Sequence, residues 1–476
     1  MEDTPEKQSN HHKINNNPSI SFVDIKLPLE ESNSTFNLEN AVCSHGLFLM
    51  APNQWDPQTK SLIRPLRLSL SINGNACSDS ALVRISSGQS SDEVFIRVYG
   101  KQWLSAEEKE AVVEQVKRML RLSEREEIKV REFQELHTQA KKMGFGRVFR
   151  SPTLFEDMVK AILFCNCQWP RTLSMSKSLC DLQLELRCQS ESSNDHAKSE
   201  FANGREMFIP TTPAVKESLR KQKRQKIVSR ENADAVNESI TDYAIMKSAE
   251  TVNGFQHEEI SVTTSVSSAK DENVDEASTP DLKVNENSVV LGGLVYTTLN
   301  TGNFPNPTEL SSLDEKFLAK RCGLGYRAGR ILKLAQGVIQ GTIQLDQLEA
   351  FCMETSLSNY KTVDDKLKQI EGYGPFTRGN VLMCLGFYNV VPTDSETIRH
   401  LKQVHGRTTT IQKVQEVVEA MYRRYEPYQF LAYWWEIWKF YEEHFGKFSE
   451  MASSDYKLIT ASNMRPRKKI KSPGSS

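Results

Sequence analysis

The sequence predicts an α+β fold: a mostly helical core follows a small N-terminal domain with an antiparallel sheet, and a long disordered insertion interrupts the core. The sheet is predicted by early β-like segments, in which Val94, Ile96 and Val98 recur at every second position, as in a strand with one buried face. The core is predicted by later segments, such as the one containing Val414 and Val418, whose apolar residues recur at helical spacing. The insertion is rich in polar and charged residues and has too little apolar surface to offset its ordering entropy.

Changes in composition set the predicted domain boundaries. We predict a disordered tail at 1–38, an α+β domain at 39–130, a helical core at 131–187 and 289–446, a disordered insertion at 188–288, and a basic C-terminal tail at 447–476. The two parts of the core are expected to form one helical domain, because an insertion at an exposed loop need not separate them in space.

The composition excludes several classes of protein. The formal net charge of −1 gives the whole chain no general attraction to nucleic acid, although basic residues cluster locally. No apolar run is long enough to span a membrane, and the polar N-terminus resembles neither a secretory signal nor an arginine-rich transit peptide. We therefore expect no membrane partner, and the nine scattered cysteines are expected to be reduced thiols.

Helices are predicted in order from their caps and apolar spacing. The helix Leu104–Leu122 has Ser105 as its N-cap and two glutamates in its first turn. A second helical segment contains Phe155–Glu156 and ends near the polar run Asn166–Trp169. After the insertion, the glycine-bounded turn Gly323–Ala328 connects two further helices.

The stretch Lys366–Arg399 reads as a helix, a tight glycine turn, a second helix, and a short loop that carries Asp394. Gly372 ends the first helix, and Gly374 adds a second residue that tolerates positive φ. Pro375 suits the first turn of the second helix, because its missing N–H costs nothing there. The second helix therefore begins with free backbone N–H groups, an arrangement suited to holding a phosphate.

This helix-hairpin-helix pattern, followed by Pro392–Asp394, resembles the signature of the helix-hairpin-helix (HhH-GPD) DNA glycosylase superfamily. The segment with Phe155–Glu156 and the turn Gly323–Ala328 also resemble parts of the glycosylase core. The 3-methyladenine DNA glycosylase II group is most similar, because an aromatic residue followed by Thr is usual where this chain has Phe376–Thr377. Arg378 departs from the small residue expected next.

The resemblance implies a base excision repair DNA glycosylase that hydrolyses the N-glycosidic bond of a damaged base flipped out of duplex DNA. It implies that Asp394 is the catalytic carboxylate, because breaking this bond builds positive charge on the sugar. The hairpin residues implied to hold DNA are Gly372, Tyr373, Gly374, Phe376 and Thr377. The residues implied to line the base pocket are Gln168, Trp169 and Tyr326. For Trp169, packing beside Pro170 is an equally good interpretation of the sequence.

Phe376 also bears on the type of reaction. Family members that cut the DNA strand carry a lysine two residues after the second hairpin glycine, and Phe376 occupies that position here. The resemblance therefore implies a monofunctional enzyme that acts on an alkylated base. Two alternatives remain open: a bifunctional oxidised-base glycosylase and lyase that uses a displaced lysine, Lys366 or Lys368, and a non-catalytic helix-hairpin-helix protein that binds DNA.

The cofactor and partner expectations follow from the same resemblance, and the expected location follows from two basic clusters. No cofactor is expected to be required and no metal ligands are predicted, although the resemblance implies a monovalent cation at the hairpin carbonyls. An iron–sulfur cluster is not expected, because the last cysteine, Cys384, precedes Asp394. The implied partner is double-stranded DNA with a damaged base, bound by a monomer. Basic clusters at Arg220–Lys226 and Arg465–Lys471 predict the nucleus, with DNA or phosphate binding as the alternative for each. A solvated linker is an equally good interpretation of the first cluster.

Overall fold

A computed structural model describes residues 21–30, 34–69, 80–88, 92–199, 301–354 and 356–464. All of them belong to one unit of the chain, Met1–Phe201 with Glu286–Ser476, whereas the second unit, Ala202–Asn285, lies outside them. The predicted insertion from residue 200 onward and both basic clusters therefore lie outside the described residues.

The described strands form one five-stranded sheet in the order β1-β5-β4-β3-β2, and every neighbouring pair is antiparallel. Alternate residues of β5 are buried, and the register pairs Val98 with Val83 and Ile96 with Ile85. The predicted antiparallel sheet is confirmed. The strands are β1 (Phe22–Pro28), β2 (Gln54–Asp56), β3 (Ser61–Arg67), β4 (Ser80–Ser87) and β5 (Glu93–Tyr99).

Strand β1 corrects the prediction that residues 1–38 form a disordered tail. It pairs with β5 along its whole length, from Phe22 opposite Tyr99 to Pro28 opposite Glu93. Its residues Ile25 and Leu27 are buried in the core. The short alternating apolar pattern of this segment was the available signal, and the polar residues around it concealed that signal.

The rest of the described fold is mainly helical, as predicted. The helix α2 begins with a complete capping box between Ser105 and Glu108. The helices are α1 (Leu38–Val42), α2 (Ala106–Leu120), α3 (Glu124–Leu136), α4 (Thr138–Lys142), α5 (Leu154–Phe164), α6 (Trp169–Ser199), α7 (Pro307–Ser311), α8 (Glu315–Arg321), α9 (Arg327–Ile339), α10 (Leu345–Ala350), α11 (Leu357–Lys368), α12 (Pro375–Leu385), α13 (Ser395–His405), α14 (Val414–Tyr422) and α15 (Gln429–Phe445).

Two predicted domain boundaries differ from the structure. Helix α6 continues past residue 187 to Ser199, so the first residues of the predicted insertion are helical. The predicted tail from residue 447 is folded as far as residue 464, and Phe448 and Tyr456 are buried in it. Apolar residues in a polar stretch explain the second difference, because Phe448 packs on Trp438 of α15 with ring centroids 4.6 Å apart.

The sheet and the helices share one hydrophobic core, which contains Val98 of β5, Met119 of α2 and Leu382 of α12. A buried charge cluster also joins them. Arg64 of β3 donates to Glu156 of α5 over 2.9 Å, and the Nζ atom of Lys160 lies 2.7 Å from the same carboxylate. Burial opposes ionisation of Glu156, but the charges of Arg64 and Lys160 outweigh it and lower its pKa to about 2. This cluster fixes α5 against the sheet.

The described helices were compared in length and hydropathy with the thickness of a bilayer's hydrocarbon core. None of these helices is both long enough and apolar enough to span a bilayer.

Candidate active site

The hairpin between α11 and α12 has the predicted geometry. Gly372 adopts a φ of +88°, which favours glycine, and the N–H of Tyr373 donates to the carbonyl of Ile370 over 3.1 Å. Gly374 is the N-cap of α12 and Pro375 is its first residue. The chain therefore reverses within a few residues and starts a new helix at once.

The first N–H groups of α12 are free. Gly374 has no side chain to cap the helix, and the first bonded amide is that of Arg378, which donates to the carbonyl of Gly374 over 3.0 Å. Within the described part of the chain, the N–H groups of Phe376 and Thr377 have no acceptor. Unpaired N–H groups at the start of a helix attract anions, and these two can hold a phosphate.

Tyr373 is a core residue, and its predicted contact with DNA is wrong for both its side chain and its N–H. The ring is buried, and its hydroxyl donates to the carbonyl of Met158 in α5 over 3.0 Å. The N–H is already bonded to Ile370. Tyr373 therefore anchors the hairpin to α5, while Phe376 is half-buried and the side chain of Thr377 is buried.

The hairpin does not fit the implied monovalent cation well. The guanidinium of Arg378 donates to the carbonyl of Tyr373 over 3.0 Å, and it also bonds to Asp364 over 2.7 Å. A positively charged side chain thus occupies one of the hairpin carbonyls that the cation would need. Arg378, which stands where a small residue is expected, therefore competes with a cation for the carbonyl of Tyr373. No role is assigned to a cation at the hairpin.

Tyr326 lies on the same surface as the hairpin. Its side chain is 50% exposed, and its ring lies 4.7 Å from the guanidinium of Arg327 and 4.8 Å from that of Arg330. A Cβ atom on Gly372 would lie 2.5 Å from Cδ of Arg330, so Arg330 lies directly against the hairpin turn. Arg330 was missed by the sequence analysis, because only the fold brings it to the hairpin. Together these residues give the surface beside the hairpin an aromatic and basic character.

Arg327, the residue after Tyr326, connects Tyr326 to the segment Asn166–Trp169 by hydrogen bonds. Arg327 is buried and donates to the carbonyls of Cys165 and Asn166. Gln168 is exposed, and its carbonyl accepts the first amide bonds of α6. The structure therefore brings the predicted pocket residues Gln168 and Tyr326 to neighbouring loops.

Trp169 has a structural role. Its Nε1 donates to the carbonyl of Tyr456 over 3.0 Å, and its ring stacks on Phe164 with centroids 6.2 Å apart. Its edge also lies close to Gly46, since a Cβ atom there would be 3.4 Å away. The alternative given for Trp169 was packing beside Pro170, and the partners found for the ring are Phe164 and Tyr456. The predicted place of Trp169 in the base pocket stays a prediction.

Asp394 is the N-cap of α13. Its Oδ1 accepts from the N–H of Thr397 over 2.9 Å and from the Thr397 hydroxyl over 3.1 Å, and the N–H of Asp394 donates back to that hydroxyl. The capping box does not use Oδ2. The single O–H of Thr397 donates a hydrogen bond to Asp394, so the Thr397 oxygen can only accept from the Tyr433 hydroxyl, which lies 2.7 Å away. This network fixes the direction of the carboxylate.

The surroundings of Asp394 suit a reactive carboxylate. The residue is half-buried, and burial raises its pKa above the ordinary value, although the hydrogen bonds from Thr397 act in the opposite direction. Its loop lies against α12, because a Cβ atom on Gly379 would approach Cβ of Pro392 to 2.8 Å. The loop with the carboxylate and the hairpin with the free N–H groups are therefore held by the same helix.

Thr397 and Tyr433 were missed by the sequence analysis. Thr397 lies three residues after Asp394, which is capping-box spacing, and that signal was available. Tyr433 belongs to the aromatic helix α15, and no sequence pattern singles it out from its neighbours.

Comparisons with known proteins give similar folds only. No family model and no curated protein matches the chain. The 3-methyladenine DNA glycosylase from Archaeoglobus fulgidus is similar at 16% identity and a TM-score of 0.43, over 88% of this chain and 99% of that one. The 8-oxoguanine glycosylase/lyase from Clostridium acetobutylicum, in complex with double-stranded DNA containing cytosine opposite to 8-oxoG, is similar at 12% identity and a TM-score of 0.42, over 85% and 92%. The apo form of the same enzyme is similar at 13% identity and a TM-score of 0.38, over 82% of this chain and 98% of that one. At these values the likenesses carry no argument about function.

Proposed function

We propose that the protein is a monofunctional DNA glycosylase of base excision repair, which hydrolyses the N-glycosidic bond of an alkylated base flipped out of duplex DNA. The observation that carries the proposal is the arrangement of Asp394. This carboxylate is half-buried and fixed through one oxygen, on a loop packed against the helix that begins at the hairpin. The free N–H groups of Phe376 and Thr377 would bind a phosphate at the start of that helix.

The reaction needs a carboxylate of this kind. Departure of the base leaves positive charge on the sugar, and an ionised carboxylate stabilises this charge best where water is scarce. Oδ1 is used by the capping box, so Oδ2 is the oxygen available to the sugar or to an attacking water. The flipped nucleotide would reach it while the hairpin amides hold the neighbouring strand.

The monofunctional reaction is supported by the residue at the hairpin. Phe376, which cannot act as an amine nucleophile, occupies the position of the lysine that strand-cutting relatives use. Lys366 and Lys368, the lysines of the bifunctional alternative, are exposed in the last turn of α11. The Nζ atom of Lys366 lies 5.7 Å from the ring of Phe351. The preference for an alkylated base rests on the resemblance of Phe376–Thr377 to the methyladenine group.

A panel of duplexes tests the proposed reaction. Each duplex carries one methylated, deaminated or oxidised base, and products are measured before and after alkali treatment and after borohydride trapping. We expect abasic sites from a methylated purine, with strand breaks only after alkali and no trapped protein–DNA adduct. Direct nicking with a trapped adduct would instead support the bifunctional alternative. Binding of duplex DNA without release of any base would support the non-catalytic alternative.

The hairpin contact is tested by Gly374→Asp. A Cβ atom at Gly374 has open space, and its φ of −65° suits any residue, so the variant is expected to cap α12 and keep the melting temperature. The new carboxylate would repel the phosphate and would accept a hydrogen bond from one of the free N–H groups. We expect duplex binding to weaken by about tenfold to a hundredfold, the worth of one charge-assisted hydrogen bond.

Gly374→Ser is the matched control for this variant. Serine would cap the same N–H group without adding a charge, so its loss of affinity measures the capping effect alone. Fluorescence anisotropy at several salt concentrations gives both affinities. Unchanged binding by Gly374→Asp would contradict a phosphate contact at the start of α12.

Location and partners complete the proposal. We propose that the protein acts on DNA in the nucleus, on the basis of the two basic clusters in its sequence, which lie outside the described residues. The monomeric state is proposed from the resemblance alone. We also propose that the reaction needs no cofactor, because the roles assigned above are filled by side chains and backbone amides.

A further inference from the structure

Three potential metal ligands converge where α13 meets α15: His400 and His405 of α13, and Glu436 of α15. One ligand atom from each lies within 4.8 Å of the other two. We propose that this cluster binds one divalent transition-metal ion, with Zn²⁺ as the ion that fits best. The proposal goes beyond the proposed glycosylase function and does not depend on it.

His400 gives the strongest indication of a ligand. Its side chain is completely buried, and both ring nitrogens lack a hydrogen-bond partner within the described ranges. Its Nε2 lies 3.4 Å from Oε1 of Glu436, but the contact lacks hydrogen-bond geometry. A buried polar group without a partner is costly, and an ion between these two atoms would remove that cost for Nε2.

Glu436 is oriented towards both histidines. The hydroxyl of Tyr422 donates to its Oε2 over 2.7 Å, so Oε1 is left to contact Nε2 of His400 and Nε2 of His405. A carboxylate held by an outer hydrogen bond of this kind is the usual arrangement of a carboxylate ligand.

The separation between His400 and Glu436 suits a tetrahedral ion, whereas His405 and Glu436 are in direct contact. Two ligands that are each about 2.0–2.2 Å from Zn²⁺ lie roughly 3.3–3.6 Å apart in a tetrahedral site. The separation of 3.4 Å between His400 and Glu436 falls in this range. His405 is partly exposed, so a small rotation of its side chain can move it away from Glu436 to make room for the ion.

The fourth ligand would be water. His405 and Glu436 line a cavity of about 900 Å³ that is open to solvent. The cations beside this cavity have other partners: Arg424 lies over the ring of Tyr425 and Lys439 over the ring of Trp435. Two imidazoles and one carboxylate favour Zn²⁺ and similar transition metals over Mg²⁺ or Ca²⁺, which prefer oxygen ligands.

A bound ion would brace the helix that Asp394 caps. The site joins α13 to α15 one turn after Tyr433, whose hydroxyl contacts Thr397 at the start of α13. The ion and this hydroxyl would therefore fix α13 to α15 at two points. In this proposal the ion joins two helices, and no step of a reaction is assigned to it.

Metal titration of the untagged full-length chain tests the proposal. His11 and His12 are replaced by Gln in every sample, because an adjacent histidine pair can bind metal by itself. After chelator treatment, we expect one equivalent of Zn²⁺ by calorimetry and a rise in melting temperature on the order of 5 °C at saturation. Co²⁺ is expected to give the visible absorption of a tetrahedral site, and Mg²⁺ is expected to have no effect.

Single variants assign the ligands. We expect His405→Ala and Glu436→Gln to weaken Zn²⁺ binding at least about a hundredfold, and Tyr422→Phe about tenfold through the outer hydrogen bond. His444→Ala is the matched control, because His444 lines the same cavity but is outside the cluster. The melting temperature of each metal-free variant shows that it is folded.

Several outcomes would overturn the site. Absence of saturable Zn²⁺ binding and of Co²⁺ absorption by the parent chain would do so, whatever the variants show. Full-strength binding by His405→Ala and Glu436→Gln would do so as well. Equal loss in His444→Ala would mean general binding by histidines of the cavity rather than the proposed cluster.

Discussion

Asp394→Asn is expected to lower the rate of base release by about 10²–10⁴-fold and to leave the fold intact. Asparagine is as good an N-cap as aspartate, so it can still accept the hydrogen bond from Thr397 at the start of α13. What the variant loses is the negative charge that we propose to act on the sugar. Single-turnover release of the base measures the rate, and thermal unfolding measures the stability.

Asp394→Ala separates the cap from the charge. It removes both, so it should lose activity like Asp394→Asn and also lose about 1 kcal/mol of stability with the N-cap. Release at the parent rate by a folded Asp394→Asn protein would remove the catalytic assignment and leave Asp394 as a capping residue.

The pH dependence of Asp394 follows from its burial. Burial raises its pKa, and the ionised form is the active one, so activity should fall with decreasing pH at a higher pH than an ordinary aspartate would give. A raised pKa in the folded state means that this group's contribution to stability is full below its unfolded pKa and is lost as pH rises through the folded pKa. Asp394→Asn should therefore be at least as stable as the parent at pH 7.

Glu156→Gln is expected to cost about 3–5 kcal/mol of unfolding free energy. Glu156 is buried between Arg64 and Lys160. The substitution removes its negative charge, so these two buried cations lose the counter-ion that they share. Urea unfolding at pH 7 measures the loss. The exposed pair Asp24–Arg97 is the matched control on the sheet, and Asp24→Asn should cost less than about 1 kcal/mol.

Acid should remove the same contribution from the parent protein. The pKa of Glu156 is lowered from 4.5 to about 2 in the folded state. Its contribution to stability is therefore present above the unfolded pKa and is lost as the pH falls through this interval. A loss below about 1 kcal/mol in Glu156→Gln, with cooperative unfolding, would contradict a charge-dependent junction between the sheet and the helices.

The sequence predicted most strongly those features that depend on neighbours in the chain. The glycine turn at Gly372, Pro375 at the start of α12 and the alternation in β5 are local, and the structure has each of them. The strand Phe22–Pro28 was missed, because its apolar residues become informative only when they pair with β5. Local patterns are weak evidence for an edge strand that polar segments surround.

Side-chain roles were harder to predict than elements. Tyr373 and Trp169 are aromatic residues in motifs, but whether they face a ligand or the core depends on distant groups, the carbonyls of Met158 and Tyr456. The cluster of His400, His405 and Glu436 has no ligand spacing in the sequence, because it is assembled from two helices. The capping role of Asp394 was not predicted: it caps a helix through Oδ1, and the capping box does not use Oδ2.

The central claim is that the carboxylate of Asp394 faces the sugar of a flipped nucleotide. Binding of two duplexes tests it most directly: one has a cationic pyrrolidine ring in place of the sugar, and the other has a neutral tetrahydrofuran ring. We predict that the parent protein binds the cationic ring at least about tenfold more tightly, and that Asp394→Asn binds both rings equally. Equal binding of the two rings by the parent protein, or an unchanged preference in Asp394→Asn, would contradict the claim.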